Sequence, residues 1–484
     1  MIRTDYFGYV DIAYWEYSLS VFDLVVLYIV FARQKNLNVG RYPEYRYLLW
    51  GLFAKVFGGV IFSLIYFYYY KGGDTISYFY SSVAMGNLAR QDPMAYLTVL
   101  FGDNSLENRE LFTMETGKPY SYVYQDDRTF MVIRLISPFT LLTFNSYLIT
   151  TLLVSSLSYV GIWKCYRTFV RYYPELRRQL AIAVLFMPSS VFWGSAILKD
   201  TFTFSATCWY IHCVDNIFFL KQRRFSSAIY LAVAIFLIIS IKPYIFMVLF
   251  PVSLVWVFYA RISRIRNALV KYLFLPASLV LMMVLSFYVL SSMGDQLGKF
   301  SLDNALETVV INQQDLKRTE EYGSNYFDLG ELDASWTSIL SKYPMATNAT
   351  LFRPYVWESR SLVILLAALE NLWLLYLFLS TVWRAQIVLF FTMVIKNPLV
   401  LMCMVFALNY AFVAGVTTPN FGALVRFKIP LIPMFVSGLF IMRYLLAQRK
   451  KAKAQGRFFR FEDYRGGAAG LIAQERGRER PPRR

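Results

Sequence analysis

Apolar residues recur along this chain in long blocks separated by polar connections. Blocks of roughly 16 to 24 mainly apolar residues, about enough to cross a hydrocarbon core, lie near 16–33, 47–70, 145–163, 180–197, 201–220, 226–241, 244–260, 271–291, 361–383, 397–416 and 423–446. They predict an all-α, polytopic integral membrane protein with about eleven transmembrane helices. A further apolar stretch at 130–144, "FMVIRLISPFTLLTF", is short and holds Arg134 and Pro138. It reads as a half-helix or re-entrant segment, a backbone tolerated at membrane depth only when buried in protein or lining a cavity. The connections 71–128 and 292–360 are long, so 1–446 reads as one transmembrane domain with two large loops. Beyond it, 447–484 is a basic tail whose end, "RGGAAGLIAQERGRERPPRR", has the composition of a disordered segment.

Composition supports the membrane reading, since 484 residues that are 57% hydrophobic and 17% charged cannot hide their apolar surface in ordinary soluble cores. Charge then sets orientation. Basic residues fill alternate connections: Arg33, Lys35, Arg41 and Arg46; Lys164, Arg167, Arg171, Arg177 and Arg178; Lys221, Arg223 and Arg224; Arg261, Arg264, Arg266 and Lys271; and Arg449 to Arg460 after the last block. The positive-inside rule places these in the cytoplasm, with the N-terminus and both long loops outside an inner (cytoplasmic) membrane and the C-terminus inside. The net charge of +18 has the same origin, so nucleic acid is not implied. The tail either holds anionic lipid headgroups, at about 1 kcal/mol per basic residue, or is merely solvated. The start lacks the signature of a cleaved signal peptide, so the first helix is expected to stay. Cys165, Cys208, Cys213 and Cys403 lie in or beside spans, with no disulfide framework visible.

With this orientation, unusual residues gather on the outer face. Lys71 and Asp74 follow the second span in "YYYKGGDTISYFYSSVAMGN"; Arg134 lies in the half-helix; Lys199 and Asp200 sit in "PSSVFWGSAILKDTF"; Lys242 precedes Pro243. Arg353, Trp357, Glu358 and Arg360 come from "LFRPYVWESRS", Glu370 lies about two turns into the next span, and Asn420, Arg426 and Lys428 come from "TTPNFGALVRFKIP". A charge at a membrane helix centre costs about 2.5–3.5 kcal/mol, and snorkelling does not favour the outer side, where topology disfavours cations. An anionic ligand at the boundary explains the set better. A polyprenyl phosphate or diphosphate keeps its tail in lipid and its phosphates at the interface. Arg353 and Arg360 are candidates for bidentate grips, and Lys199 and Lys242 for point charges.

Glycosyl transfer from such a donor needs a base for the acceptor hydroxyl. Asp74 is the first candidate, because Gly72 and Gly73 let backbone approach a ligand closely and an interface helix follows; the alternative is that Asp74 is that helix's N-cap. Asp200 is a second candidate, or pairs with Lys199 or caps the fifth span. Glu358 is a third, or pairs with Arg353 or Arg360. Glu370 has either a structural partner or a chemical role, and Asp23 and Lys55, inside the first two spans, either pair with each other or serve substrate.

The Gly-Asp element, the interface helix and the many short-looped spans resemble the GT-C superfamily of lipid-linked-sugar glycosyltransferases. "MPSSVFWGSAILKD", "LFRPYVWESRSLVILLAALEN" and "NFGALVRFKIPLIP" resemble bacterial membrane proteins associated with surface polysaccharide synthesis, polymerase-like members included. The resemblance covers about residues 45–440. It implies catalysis at Asp74 and phosphate binding at Lys199, Lys242, Arg353 and Arg426, with Lys71, Arg134, Trp357, Arg360 and Lys428 as further substrate-binding candidates. The chain departs from many members in carrying one Asp rather than a pair on the first loop and a short tail in place of a folded domain.

Other chemistries find less support. His212 shares a helix face with Cys208, a spacing open to a metal or to polar packing. No "GxxxxGK", "HExxH" or nucleophile elbow occurs. A divalent cation on Asp74 with Glu358 or Asp200 is possible chemistry without diagnostic spacing. Tyr78, Tyr80, Tyr120, Tyr122, Tyr124, Tyr355 and Trp357 belong either to interfacial belts or to sugar-stacking surfaces. The rival functions are a lipid-linked saccharide transporter, which should carry internal repeats that are not seen here, and a non-enzymatic subunit bound to envelope-complex proteins, for which loop 292–360 offers a lid or partner surface.

Overall fold

A computed structural model of the chain describes residues 10–262, 305–315 and 325–456, with positions 284, 288, 459 and 461. Apart from positions 284 and 288, the expected span at 271–291 lies outside the described residues, as do part of the second long loop and most of the end of the tail. The described chain is all-α, without a strand, and its one extended pairing is an isolated bridge between Tyr326 and Asn420.

Six helices are long and apolar enough to cross a membrane: Tyr14–Asn38, Pro43–Tyr69, Tyr147–Tyr172, Arg224–Ile241, Leu362–Ala385 and Pro398–Thr417. Phe421–Phe427 and Ile432–Ala454, bent by 63°, make a seventh if they act as one span. The chain is thus a multi-pass membrane protein in helix content. The stretch 180–197 is broken into helices Arg177–Leu185 and Pro188–Trp193, because Pro188 lacks the N–H that would continue the first. The apolar helix Ile387–Lys396 was not foreseen as an element of its own.

The chain divides into two compact units: 1–163 with 190–206 and 236–242, and 164–189 with 207–235 and 243–484. In the first, the long loop folds into helices rather than coil. Asp74–Gln91 lies along Asp127–Leu142 over a core that includes Phe79, Met85, Leu88, Val132, Ile133 and Ile136. The second of these helices covers most of the stretch expected as a half-helix or re-entrant segment, starting at Asp127 and carrying Pro138 inside. The helix Leu48–Leu64 is drawn close to its neighbours by small residues: a Cβ on Gly58 would come within 2.1 Å of the Val191 carbonyl oxygen. In the same helix Lys55 donates to the Gly194 carbonyl and lies over the Phe204 ring.

In the second unit, Pro398–Thr417 is packed by Tyr343–Phe352, Pro243–Ile262 and Ile432–Ala454. Backbone bonds Phe421 N–H to Asn325 O (3.0 Å) and Phe327 N–H to Pro419 O (3.1 Å) hold the loop strand against the start of Phe421–Phe427. Phe327 and Leu329 are thereby buried with Ile339, Val416, Phe421 and Leu424.

Candidate functional site

The candidates divide between the units, and each unit holds its own cluster. In the first, a π-helical turn, Ile65–Tyr69, ends the second span, and Lys71 follows in the left-handed region at φ 51°. Gly73, at φ 97°, is the N-cap of Asp74–Gln91, and a Cβ there would lie 2.7 Å from the Tyr66 ring. Only glycine fits such a backbone without strain. Asp74 is therefore not the N-cap, as one alternative had it; it is the first helical residue, half-buried, with its charge at the favourable end of the dipole. Tyr122 is close enough to feel that charge: partial burial pushes its phenol up, a hydrogen bond with Ser77 pulls it down, and the Asp74 carboxylate adds to the rise.

Lys199 and Asp200, adjacent in sequence, part company. Lys199 Nζ reaches Asp126 Oδ2 at 2.9 Å, an ion pair whose side chains are 19% and 45% exposed. Asp200 turns inward to Lys242 Nζ at 2.5 Å, with side chains only 2% and 6% exposed. The expectation that Asp200 pairs with Lys199 is overturned because the start of Lys199–Val214 points successive side chains in different directions. Asp126 was not singled out in the sequence, although a "DD" pair before an apolar helix is a helix-start signal. Arg134 is committed to the loop: its guanidinium donates to the carbonyls of Val99 (3.0 Å) and Gly102 (2.6 Å) and to Asn104 Oδ1 (2.9 Å), and lies over Phe130.

The second unit assembles Arg353, Trp357 and Glu358. Arg353 Nε lies 3.0 and 3.1 Å from the two Glu358 oxygens, its Nη2 donates to Oε1, and the Tyr355 N–H donates to Oε2 at 2.8 Å. The guanidinium lies over Phe327 and Phe421, so the loop strand and the last helix pair build its floor. Trp357, 81% exposed, stacks on Tyr355. Of the two partners foreseen for Glu358, the structure selects Arg353. Arg360 is exposed, and Arg426 is half-buried in Phe421–Phe427.

Beneath this cluster, buried Lys428 donates to Asn371 Oδ1, and the Asn371 amide donates to the Pro354 carbonyl at 3.1 Å. Neighbouring Glu370 accepts the Ser189 N–H (2.7 Å) and hydroxyl (2.6 Å), a structural partner. Asn371 and Ser189 carried no signal in the sequence.

Among the described residues no group of three or more His, Cys, Asp or Glu side chains is arranged to hold a metal ion. Asp200 is held by Lys242 and Glu358 by Arg353, so neither carboxylate fits a divalent cation as placed. His212 is likewise engaged by Thr168 and Asn216, and all four cysteines are buried free thiols. Set against protein-family models, curated proteins and solved structures, the chain finds no match.

Proposed function

We propose that this chain is a GT-C-like integral membrane glycosyltransferase or polymerase that acts on polyprenyl-phosphate-linked saccharide. It works at the outer face of the inner membrane in surface polysaccharide or glycoconjugate synthesis, within about eleven spans and with its N-terminus outside. The observation that supports this most is the glycine hinge, which sets a half-exposed carboxylate, Asp74, at a helix start beside Tyr122. In this reading Asp74 is the base that takes the acceptor hydroxyl proton. Within the first unit Lys71 and Lys199 are the cations that attract phosphate; the second unit, taken by itself, offers Arg353, Arg360 and Arg426 for phosphate and the Tyr355–Trp357 stack for a sugar face. Asp200 and Lys242 support the site from within as a closed ion pair.

A second reading, a non-enzymatic membrane subunit with envelope-protein partners, is favoured by one observation: Lys199, Lys242 and Arg353 each already hold a carboxylate. Lipid-linked glycan profiling in cells carrying Asp74→Asn decides between the two. A positioned base contributes about 10²–10⁴-fold, so product should fall by at least about a hundredfold and unextended lipid-linked saccharide should accumulate at parental expression. An unchanged profile removes Asp74 as the base, and an unchanged profile on full deletion leaves the subunit reading.

A further inference from the structure

The end of the helix Tyr147–Tyr172 carries a group of cations that the proposed chemistry does not use. From Tyr147 to Trp163 the helix is uncharged for about 25 Å of rise. Lys164, Arg167 and Arg171 then follow at spacings of three and four, which put them on one face. Arg171 is neutralised by buried Asp215, whose Oδ2 lies 2.5 Å from its Nη1. Lys164 has no such carboxylate among the described residues, and its Nζ lies 5.9 Å from the centre of the Trp209 ring. The charges of Arg167, Arg223 and Arg171 all reach it.

Arg223 comes from a turn in which Lys221 (φ 59°) and Arg223 itself (φ 44°) both occupy the left-handed region. Such strain in bulky residues is kept where the surroundings demand it. Neither nearby imidazole nor ring adds negative charge. The Asn216 amide donates to His212 Nε2 at 3.0 Å, so the ring proton sits on Nδ1, 2.8 Å from Thr168 Oγ1. Trp209 in turn stacks on the half-exposed ring of Tyr230, at 5.0 Å between centres. Cations are thus gathered beside an aromatic shelf at the end of an apolar span.

We infer that Lys164, beside the Trp209–Tyr230 shelf, together with Arg167 and Arg223, binds a phosphate-bearing anion. Two sources share that chemistry, the headgroup of an anionic phospholipid and a free phosphate. The shelf supplies an apolar wall for acyl chain or glycerol, and the cations supply donors to the phosphate oxygens.

Native mass spectrometry of the full chain, titrated with phosphatidylglycerol, phosphatidylcholine and inorganic phosphate, tests the site. The expected result is preferential retention of phosphatidylglycerol, weakened roughly thirtyfold by Lys164→Gln with Arg223→Gln, on about a tenfold loss per 1.4 kcal/mol and about 1 kcal/mol per cation. Lys164→Arg with Arg223→Lys should bind like the parent. Retention of inorganic phosphate that the double Gln variant abolishes, with no preference among lipids, assigns the site to free phosphate. Retention of phosphatidylglycerol and of inorganic phosphate that is the same in the parent and the double Gln variant overturns the site. Should that variant fail to insert, Arg223→Gln alone, on an exposed turn, carries the test: about fivefold weaker binding supports the site and parental binding overturns it.

Discussion

Lys242→Met should destabilise the first unit far more than Lys199→Met, although both remove one lysine from an ion pair. The Asp200 and Lys242 side chains are 2% and 6% exposed, so removing the ammonium strands a carboxylate away from water. Breaking a buried pair on one side costs about 3–5 kcal/mol. At about 2–4 °C per kcal/mol for a unit of 150–250 residues, the unfolding midpoint should fall by roughly 6–20 °C. Asp126 in the other pair is 45% exposed, and water screens its charge. Lys199→Met should therefore cost under about 1 kcal/mol. The double variant Lys242→Met with Asp200→Leu should recover most of the loss, because an apolar pair of similar volume replaces a buried ion pair at little cost. Thermal unfolding of detergent-solubilised protein followed by size exclusion reads all three. Equal midpoints for Lys242→Met and Lys199→Met, or no recovery in the double variant, would refute the assignment of Asp200–Lys242 as a closed structural pair.

Gly73→Ala places a side chain where φ is 97° and Tyr66 stands 2.7 Å away; a loss of about 1–3 kcal/mol in stability and a fall in glycan product are expected, measured by unfolding and by lipid-linked glycan profiling. Arg353→Lys keeps charge but loses the forked grip on Glu358 and the flat packing over Phe327 and Phe421, for about 1–2 kcal/mol in the same unfolding assay, whereas an equal midpoint would mean that the fork contributes nothing. Ser189→Ala removes the hydroxyl donor to buried Glu370 and should cost about 1–3 kcal/mol, and Glu370→Gln in the same background should relieve part of it.

Local chemistry made parts of this molecule legible in the sequence. Two glycines before an acid, followed by a helical run, announced both the hinge and the helix Asp74–Gln91, because φ preference is a property of the residue itself. Ion-pair partners were not legible in the same way. Lys199 meets Asp126 from 73 positions away and Lys242 meets Asp200 from 42 away, distances along the chain that only tertiary packing closes. Adjacency suggested Lys199 with Asp200, and adjacency misled. The break at 186–187 was not legible either: hydropathy sees 180–197 as one apolar block, while the backbone stops before Pro188 for want of a donor. For Glu358 the sequence leaves Arg353 and Arg360, five and two residues away, as equal partners within reach of a single loop, and only the seating of the Arg353 guanidinium over Phe327 and Phe421 selects between them.

The ion pairs also constrain how a phosphate is bound in the proposed reaction. Arg353 is the better-placed grip than Lys242, since its side chain is 25% exposed and Glu358 18%, while the Asp200–Lys242 pair is shut away from solvent. A phosphate that takes the Arg353 fork displaces Glu358, which then keeps only the Tyr355 N–H among its present donors. Glu358→Gln weakens that competitor without emptying the space, so donor affinity should rise if Arg353 grips phosphate, by up to roughly tenfold for about 1.4 kcal/mol of released pairing. Isothermal titration with a short-chain polyprenyl phosphate measures it. A fall in affinity would instead mean that Glu358 holds the guanidinium in its binding pose, and that the phosphate meets Arg353 and Glu358 together rather than in exchange.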